Sequence, residues 1–457
     1  MMLLILLLTL VSTATSTEYG ANVQADGVHQ AINTPLLSNK VLLPLSTGAA
    51  CLDGSPYAFY YTGNNNTSTR WSITLGGGGW CYNESLCAAR AASKLGSSTM
   101  WPDVGECECK YFDTDGQTDD AEQCKCASLI YCDGASFSGV RSKLWPVDGP
   151  GRAPSPNNVS HLAFRGLLNL DSALDWLVSN KGLGNASELV VTGGSAGGLS
   201  TFLHTDRIAS RAPLAKVRAL PVVGYFLNHA EMSGAAPDYR ASMDYVRVMQ
   251  NITASPGGAL NAACMGTHPT EKWKCIMSPY MQSFVRTPFF LFNSKFDMWQ
   301  LGCILDVDCM CPRNVSQSSN QCAPGPSICW SNPSPHNHST YFEQTAAPIV
   351  GVNCNASQRA AILNFGTSFI SALTPVLSEP RNGVFITSCI CHSCDWSKLA
   401  INNKSAYGHF ADWYSGRTAG SSARFVDKRG PNGDGALGRD NREPGWENCS
   451  DGFYPPN

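Results

Sequence analysis

The sequence predicts an α/β protein with a mostly parallel central sheet flanked by helices. Short apolar segments alternate with segments of helical periodicity over most of the 457 residues, an order typical of βαβ units. A glycine-rich turn joins one of these strands to a helix in LVVTGGSAGGLS at 189–200. Single polar residues also follow two later apolar strands, and the carboxyl ends of parallel strands meet at one edge of a sheet.

The composition limits the classes of molecule that the protein is expected to bind. Charged residues make up 15% of the chain, and the formal net charge is −3. This balance gives no electrostatic basis for binding nucleic acid or an anionic membrane.

The N-terminus and the cysteines both indicate export. An apolar run from Met1 to Val11, followed by small residues at 14–16, predicts a signal peptide over residues 1–16, with a signal anchor as the alternative. No later stretch is apolar for long enough to predict a membrane span. The 20 cysteines are typical of a disulfide framework formed in an oxidising compartment. Sequons that fit a glycosylated surface occur at Asn65, Asn66, Asn83, Asn158, Asn185, Asn251, Asn314, Asn337, Asn355, Asn403 and Asn448.

The first predicted strands lead to a tract of four glycines. Apolar runs at 41–43 and 57–61 predict two strands, and Trp71 to Leu75 predicts a third that continues into Gly76-Gly77-Gly78-Gly79. Glycines after a strand and upstream of the serine turn suit an oxyanion loop, in which bare backbone N–H groups approach a substrate. A flexible hairpin loop is the alternative.

Two segments predict disulfide-stapled insertions. Residues 105–126 hold Cys107-x-Cys109 and Cys124-x-Cys126 around an acidic tract, and residues 302–340 are rich in Cys, Pro and Asn. Zinc sites more often use C-x₂-C spacing, and these acids do not follow the order of a calcium loop. We therefore expect no metal at the first insertion.

Ser195 lies in a G-x-S-x-G pattern between a strand at 189–191 and a helix-compatible segment at 199–208. A serine on a sharp strand-to-helix turn needs small neighbours, because a Cβ there would collide with the adjoining backbone. The turn also aims the helix N-terminus at a developing oxyanion. The alternative is an ordinary glycine-rich turn.

Two later strands carry the other candidates. An apolar strand at 289–292 ends in a turn with Asp297, and Gly383 to Ser388 opens into a cysteine-rich segment with His392. The other predicted elements are strands at 128–130 and 217–227 and helices at 167–178, 239–249, 273–285 and 360–373.

Ser195, Asp297 and His392 occur in the chain order of α/β-hydrolases. That order predicts Ser195 as the nucleophile, His392 as its base and Asp297 as the group that orients the imidazole. The predicted oxyanion donors are the backbone N–H groups of Ala196 and of Gly79 or Trp80.

Other residues compete for these roles. The alternative bases are His204, His229 and His409, and the alternative acids are Asp306, Asp308 and Asp395. They fit the chain order or the position after a strand less well. Three cysteines around His392, at 389, 391 and 394, would allow a metal site, but disulfides are more typical of an exported protein.

Several segments resemble the pectin acetylesterase family, whose animal branch is Notum. They are TLGGGGWCYNESLC, YCDGASFSG, FRGLLNLDSALDWL with KGLGNASELVVTGGSAGGLST, TPFFLFNSKFDMWQ and ITSCICHSCDW, within about Leu42 to Tyr414. The resemblance implies an α/β-hydrolase-like fold, an oxyanion loop at Gly79-Trp80 and the triad described above. The family usually has an acid where Gly76 stands and an Asp where Asn228 stands.

The resemblance implies a secreted serine carboxylesterase that removes O-acetyl groups from a cell-wall polysaccharide through an acyl-enzyme. The expected polysaccharide is pectin. YCDGASFSG resembles the plant-type enzymes more than the Notum branch, which favours an acetyl group and a small acyl pocket near Trp80. The alternatives are a Notum-like deacylase for longer acyl groups and a glycan-binding relative without catalysis.

The expected organisation follows from this function. We expect residues 17–415 to form one esterase domain and 416–457 to form a polar, mostly irregular tail. The protein is expected outside the cell or in the cell wall, with an acetylated polysaccharide as its partner and neither nucleic acid nor membrane. The mechanism requires no cofactor or metal ion.

Overall fold

The structure is a computed structural model. It describes residues 36–63, 67–112, 124–147, 159–234, 238–254, 257–307, 309, 354–392, 394–397 and 399–428. The chain divides into two units, Met1–Ile32 and Asn33–Asn457, and the described residues belong to the second. The predicted signal peptide, residues 310–340 of the second insertion and the chain after 428 lie outside the described residues.

The central feature is a sheet of ten strands. The strands of the chain are β1 (Leu36–Leu42), β2 (Ala58–Thr62), β3 (Arg70–Leu75), β4 (Val104–Cys107), β5 (Lys125–Leu129), β6 (Trp145–Pro146), β7 (His161–Leu162), β8 (Glu188–Gly194), β9 (Lys216–Val222), β10 (Phe290–Ser294), β11 (Gly383–Thr387), β12 (Ala400–Ile401), β13 (Lys404–Ser405) and β14 (Arg424–Val426). The order in the main sheet is β14-β11-β10-β9-β8-β3-β5-β2-β1-β4. Strands from β14 to β5 are parallel, while β2, β1 and β4 pair antiparallel at the other edge. The predicted mostly parallel α/β fold is confirmed.

Helices cover this sheet. They are α1 (Glu84–Ala91), α2 (Gly166–Lys181), α3 (Ala196–Ala209), α4 (Asp238–Met249), α5 (Ala262–Thr267), α6 (Ser278–Met281), α7 (Met298–Cys303), α8 (Ala356–Ala372), α9 (Thr374–Ser378) and α10 (Ala406–Ser415). Local chemistry sets their ends: the Asn83 side chain accepts the Leu86 N–H at the start of α1, and Gly182, with φ of 77°, ends α2.

Both faces of the sheet are buried. Successive side chains of a strand point to opposite faces. Leu189 and Val191 therefore pack in one core cluster, with α2 and α3, while Val190 packs in a second cluster with Phe290 and Phe410 of α10. Burial on both faces is the reason that the central strands appear as continuous apolar runs rather than as an alternating pattern.

Disulfides join several of the loops. The described pairs are Cys51–Cys132, Cys81–Cys87, Cys107–Cys126, Cys109–Cys124, Cys264–Cys275, Cys309–Cys354 and Cys391–Cys394. Two of these pairs link β4 with β5 or the segments beside them, so the flanks of the predicted 105–126 insertion belong to the main sheet. Its acidic centre, at 113–123, lies outside the described residues.

Two predicted elements are shorter than expected. The predicted helix at 273–285 is instead a 3₁₀ turn (Lys272–Ile276), the short α6 and another 3₁₀ turn (Gln282–Phe284). Met277 is extended, and Pro279 has no N–H to continue a helix across this point. The predicted strand at 217–227 ends at Val222, because the next residues turn away to pack the Gly224 backbone against α3.

The C-terminal part of the described chain is a sheet edge rather than an irregular tail. Residues 416–457 were predicted to be mostly irregular, and within the described part of this segment Arg424–Val426 forms β14, which pairs in parallel with β11. Asp427, the residue after β14, accepts hydrogen bonds from the backbone N–H and the hydroxyl of Ser388, and its carbonyl accepts one from Lys295 Nζ at 2.8 Å. These contacts bind the segment to the ends of β10 and β11.

Among the described residues, one helical segment is apolar enough to cross a membrane by length and composition. It is Ala356–Ser378, which comprises α8 and α9, whereas no stretch after the N-terminus was expected to be apolar for long enough. In the structure, Ile362, Phe365 and Phe369 of this segment are buried in the core. This packing is typical of a helix that covers the core of a domain with one face.

Glycines allow three backbone segments to meet behind the serine turn. A Cβ on Gly198 of α3 would lie 2.4 Å from the Val222 carbonyl oxygen and 2.8 Å from the Gly224 Cα. Those neighbours are backbone atoms, which cannot move aside as a flexible side chain can.

We therefore expect Gly198→Ala to lower the free energy of unfolding by about 1–3 kcal/mol, because the added methyl group overpacks the contact between α3 and β9. Denaturant unfolding measures the change. The matched control is Gly266→Ala, also within a helix, where a Cβ would have no neighbour within 4 Å. It should leave stability unchanged or raise it by about 0.5–1 kcal/mol. Equal effects of the two variants would contradict the close contact.

Candidate active site

Ser195 lies on the sharp turn between β8 and α3. Its backbone has φ of 57° and ψ of −123°, a conformation that residues other than glycine rarely adopt. The Ser195 N–H donates to the Val222 carbonyl at 3.0 Å, which holds the turn against β9. A Cβ on Gly197 would lie 2.1 Å from the Leu75 carbonyl oxygen. Small residues are therefore required where the G-x-S-x-G pattern has them.

His392 and Asp297 contact each other at the ends of β11 and β10. The distance from His392 Nδ1 to Asp297 Oδ2 is 2.8 Å, and that from His392 Nε2 to Ser195 Oγ is also 2.8 Å. A carboxylate can only accept, so Nδ1 carries the proton that is donated to Asp297. Nε2 is then free to accept the hydroxyl proton of Ser195. The structure thus brings the three predicted residues together in one hydrogen-bonded chain.

Asp297 is held rigidly. It is fully buried and caps the N-terminus of α7, where its Oδ1 accepts the Gln300 N–H at 3.0 Å. The Gln300 side chain in turn donates to the Tyr225 carbonyl and accepts the Leu227 N–H. Both carboxylate oxygens therefore have partners, and neither can turn away from His392.

The loop that follows β3 packs against the serine turn. A Cβ on Gly77 would lie 2.2 Å from the Gly194 carbonyl oxygen, so the two backbones are in direct contact. Gly78 and Gly79 have φ of 133° and 64°, which favours glycine. Within the described residues, the N–H groups of Gly79, Trp80 and Ala196 donate no hydrogen bond. The loop that carries Gly79 and Trp80 thus packs against the serine turn, and the three predicted oxyanion donors have no acceptor among the described residues.

The competing histidines have other contacts. Burial lowers the pKa of His204 to about 4, and its Nε2 lies 2.9 Å from the Ser136 carbonyl oxygen. His229 packs against Phe365, with ring centroids 5.1 Å apart. His409 stacks on Phe425 with its Nε2 2.8 Å from the Ile401 carbonyl oxygen.

The competing acids also lie in other settings. Asp395 accepts the N–H of Ser397 at 3.0 Å in the turn after His392. Asp306, with φ of 58°, is in the turn after α7, and Asp308 lies outside the described residues. Only Asp297 among the candidate acids in the described part of the chain is hydrogen-bonded to a candidate base.

The cysteines around His392 do not form a metal site in the described chain. Cys391 and Cys394 are bonded to each other, and Cys389 is also in a disulfide. Among the described residues, no group of three or more His, Cys, Asp or Glu side chains is placed to hold a metal ion. The Cys391–Cys394 bridge instead joins residues on either side of His392.

Aromatic side chains surround Trp80 beside the hydrogen-bonded chain. The Trp80 ring lies 5.0 Å from Phe226, 5.7 Å from Trp299 and 5.8 Å from Tyr239, measured between ring centroids. Phe226 and Trp299 each lie 6.3 Å from the His392 ring. Large rings therefore occupy the space next to the imidazole and the oxyanion loop.

A cavity of about 370 Å³ lies elsewhere. Its lining includes Asn228, His229, Tyr280 and Ser371 but none of the predicted catalytic or oxyanion residues. Asn228, where the family usually has an acid, donates to the Tyr280 hydroxyl at 2.8 Å. At Gly76, the other departure, a Cβ would lie 3.0 Å from the Tyr131 nitrogen, so a larger residue there requires a shift of β5.

Sequence reasoning assigned no role to three polar residues that contact this site. They are Arg90 on α1 and Tyr131 and Ser136 in the YCDGASFSG segment. All three are buried, and each hydrogen-bonds to the oxyanion loop or to α3. The motif marks the segment as unusual, but a sequence does not show which way its hydroxyl groups point.

Comparisons of sequence and of structure relate this chain to known proteins. A family profile described as Pectinacetylesterase matches residues 25–433. Pectin acetylesterase 5 of Arabidopsis thaliana is 30% identical over 395 residues, which cover 83% of this chain and 82% of the relative. Pectin acetylesterase 4 of the same plant is 29% identical, with coverages of 83% and 85%.

The animal relatives match a smaller part. The palmitoleoyl-protein carboxylesterase NOTUM of Drosophila melanogaster is 29% identical over 56% of this chain and 37% of its own length. The structure of the Wnt deacylase Notum from Drosophila superposes with a TM-score of 0.62 at 22% identity, covering 86% of this chain and 96% of that one. This structural likeness shows a shared α/β-hydrolase-like fold. From the family match and the plant relatives, the chain is a carboxylic ester hydrolase and belongs to the pectinacetylesterase family.

Proposed function

We propose that this protein is a serine esterase that hydrolyses O-acetyl esters of a cell-wall polysaccharide through an acetyl-enzyme. The proposed polysaccharide is pectin. The observation that carries the proposal is the hydrogen-bonded chain from Ser195 Oγ through the His392 imidazole to the Asp297 carboxylate. This chain holds a weak nucleophile, its base and the group that orients the base in the order that acyl transfer needs.

In the first half-reaction, Ser195 Oγ attacks the acetyl carbonyl carbon while His392 Nε2 takes the hydroxyl proton. The Asp297 carboxylate stabilises the imidazolium that forms. The N–H groups of Gly79, Trp80 and Ala196 receive the negative oxygen of the tetrahedral intermediate. His392 then gives its proton to the departing sugar oxygen, which leaves acetyl-Ser195.

In the second half-reaction, water attacks the acetyl-Ser195 ester. His392 takes a proton from the water, and the same N–H groups stabilise the second oxyanion. Collapse of this intermediate breaks the bond to Ser195 Oγ, and His392 returns the proton to the serine. Acetate is released and the enzyme is regenerated.

A short acyl group fits the aromatic surroundings best. Trp80, Phe226, Tyr239 and Trp299 pack against one another beside the imidazole. Trp80 is only 6% exposed. A long acyl chain would need to separate these rings, whereas an acetyl group adds one methyl to the carbonyl. This favours acetyl esters over the longer acyl groups named for Notum, which is the alternative within the same chemistry.

The polysaccharide substrate is proposed from the relatives. The Arabidopsis proteins that match over more than four fifths of this chain are named for pectin acetyl esters. The match to Notum is limited to 56% of the chain. A glycan-binding protein without catalysis is the alternative from another class, and labelling of Ser195 by a fluorophosphonate probe separates the two.

We propose that the protein is secreted and glycosylated, and acts in the cell wall. The seven described disulfides are typical of an oxidising compartment. The sequon asparagines that the structure describes are all exposed to solvent: Asn83, Asn185, Asn251, Asn355 and Asn403. We infer a mature chain that starts after residue 16 and an esterase domain that extends to β14.

We expect Ser195→Ala to lower turnover of p-nitrophenyl acetate and of acetylated pectin by about 10³-fold or more, because the nucleophile is lost. Release of p-nitrophenol and of acetate measures the two reactions. Ser210→Ala is the control, since Ser210 is exposed at the other end of α3 and should retain full activity. Unchanged turnover in Ser195→Ala would rule out the mechanism.

A second experiment tests the acyl preference. The wild-type kcat/KM should fall from p-nitrophenyl acetate to the hexanoate, because the rings leave little space. Trp299→Ala removes a partly exposed ring, and we expect it to raise the hexanoate-to-acetate ratio of kcat/KM by about 10-fold. The ratio cancels any loss from the contact between Trp299 and His392. A wild-type preference for hexanoate would favour the long-chain deacylase instead.

A further inference from the structure

Peptide geometry connects the loop carbonyls to the proposed oxyanion donors. A trans peptide group is planar, so its C=O and N–H point in opposite directions. The Gly79 carbonyl belongs to the same peptide group as the Trp80 N–H, and the Gly78 carbonyl to the same group as the Gly79 N–H. A side chain that holds one of these carbonyls therefore sets the direction of the N–H on the other side.

Tyr131 holds the first of these carbonyls. Its hydroxyl donates to the Gly79 carbonyl at 2.8 Å and accepts the Ser136 N–H at 3.0 Å. Burial, followed by the nearby Asp133 carboxylate, raises the pKa of Tyr131, so the hydroxyl keeps the proton that it donates. The Tyr131 ring is 1% exposed. The hydroxyl therefore donates one hydrogen bond and accepts another within the protein.

Arg90 holds the second carbonyl. Its Nη2 donates to the Gly78 carbonyl at 2.7 Å, and its Nε donates to the Leu95 carbonyl at 3.1 Å. The guanidinium lies 5.0 Å from the centroid of the Tyr131 ring, a cation–π contact. Arg90 is only 7% exposed. Burying a charge is costly unless it is paired or hydrogen-bonded. The buried Arg90 guanidinium is stabilised by its hydrogen bonds to the Gly78 and Leu95 carbonyls.

Ser136 links the loop to the other side of the site. Its Oγ accepts the Trp80 Nε1–H at 2.8 Å and donates to the Ala196 carbonyl at 2.8 Å. Ser136 and Phe137 both have positive φ, of 53° and 58°. Two adjacent residues in this unfavourable region persist only when their surroundings hold them there.

The glycine loop cannot fix the directions of its own N–H groups. Glycine has more backbone freedom than any other residue, and the loop is four glycines long. An oxyanion hole works because its donors are already oriented when charge develops. We propose that Tyr131 and Arg90 are the positioning residues of the oxyanion hole, each aiming one loop N–H by holding the carbonyl of the same peptide group. This inference rests on the proposed serine esterase function.

The test is Tyr131→Phe, which removes one hydroxyl and keeps the ring. We expect kcat for p-nitrophenyl acetate to fall about 10- to 100-fold, less than or equal to the loss of a whole oxyanion donor, with KM nearly unchanged. Arg90→Lys, which keeps the charge but loses the fixed fork of donors, should act in the same direction. Trifluoroacetone, which forms a tetrahedral adduct with the serine, should bind each variant more weakly by the factor by which kcat/KM falls.

Tyr57→Phe is the matched control. Its hydroxyl is buried and has no hydrogen-bond partner among the described residues, so its loss should leave kcat at the wild-type value. Melting temperatures of all variants separate folding from catalysis. Wild-type kcat and trifluoroacetone affinity in both Tyr131→Phe and Arg90→Lys would overturn the positioning role alone. A wild-type protein that fails to hydrolyse p-nitrophenyl acetate would overturn the proposed function together with this inference.

Discussion

The site depends on contacts between backbones that only glycine permits. The loop after β3, the turn at Ser195 and the segment after β9 approach one another so closely that a methyl group on Gly77, Gly197 or Gly198 would overlap a carbonyl oxygen. Packing of this kind holds the loop that carries Gly79 and Trp80 against the serine turn. It also holds the backbone of Ser195 in its unfavourable conformation, since the neighbours of the turn are closely packed backbone atoms.

Hydrogen bonds orient the side chains and loop carbonyls around this closely packed backbone. Asp297 is fixed by the start of α7, and it orients His392 towards Ser195. On the opposite side, Arg90 and Tyr131 hold carbonyls of the glycine loop. In the proposed mechanism, Ser195 therefore lies between a side chain that accepts its proton and backbone N–H groups that accept the developing charge. Preorganised groups of both kinds lower the reorganisation needed during acyl transfer.

Sequence patterns predicted most strands of the main sheet, the serine turn and the three residues that meet there, because each follows from local chemistry. An apolar strand ending in Asp297 or opening towards His392 is visible in the sequence, and parallel pairing brings strand ends together. The contacts of Arg90 and Tyr131 with the glycine loop were not visible, since they depend on which buried carbonyl each side chain reaches. The strand at Arg424–Val426 was missed for a related reason: three residues show no periodicity until they pair with β11.

The strand β14 lies late in the sequence, so it is synthesised after the other strands of the main sheet. A ribosome releases the chain from the N-terminus, and domains generally acquire structure as they emerge. The edge of β11, which leads to His392, is covered by residues 424–427, among the last that the structure describes. The serine turn and its glycine loop can assemble from the first half of the chain, whereas the imidazole gains its supporting strand only near the end of synthesis. On the proposed mechanism, which needs His392, we therefore expect nascent chains that lack residues 424–427 to contain the serine turn without hydrolytic activity.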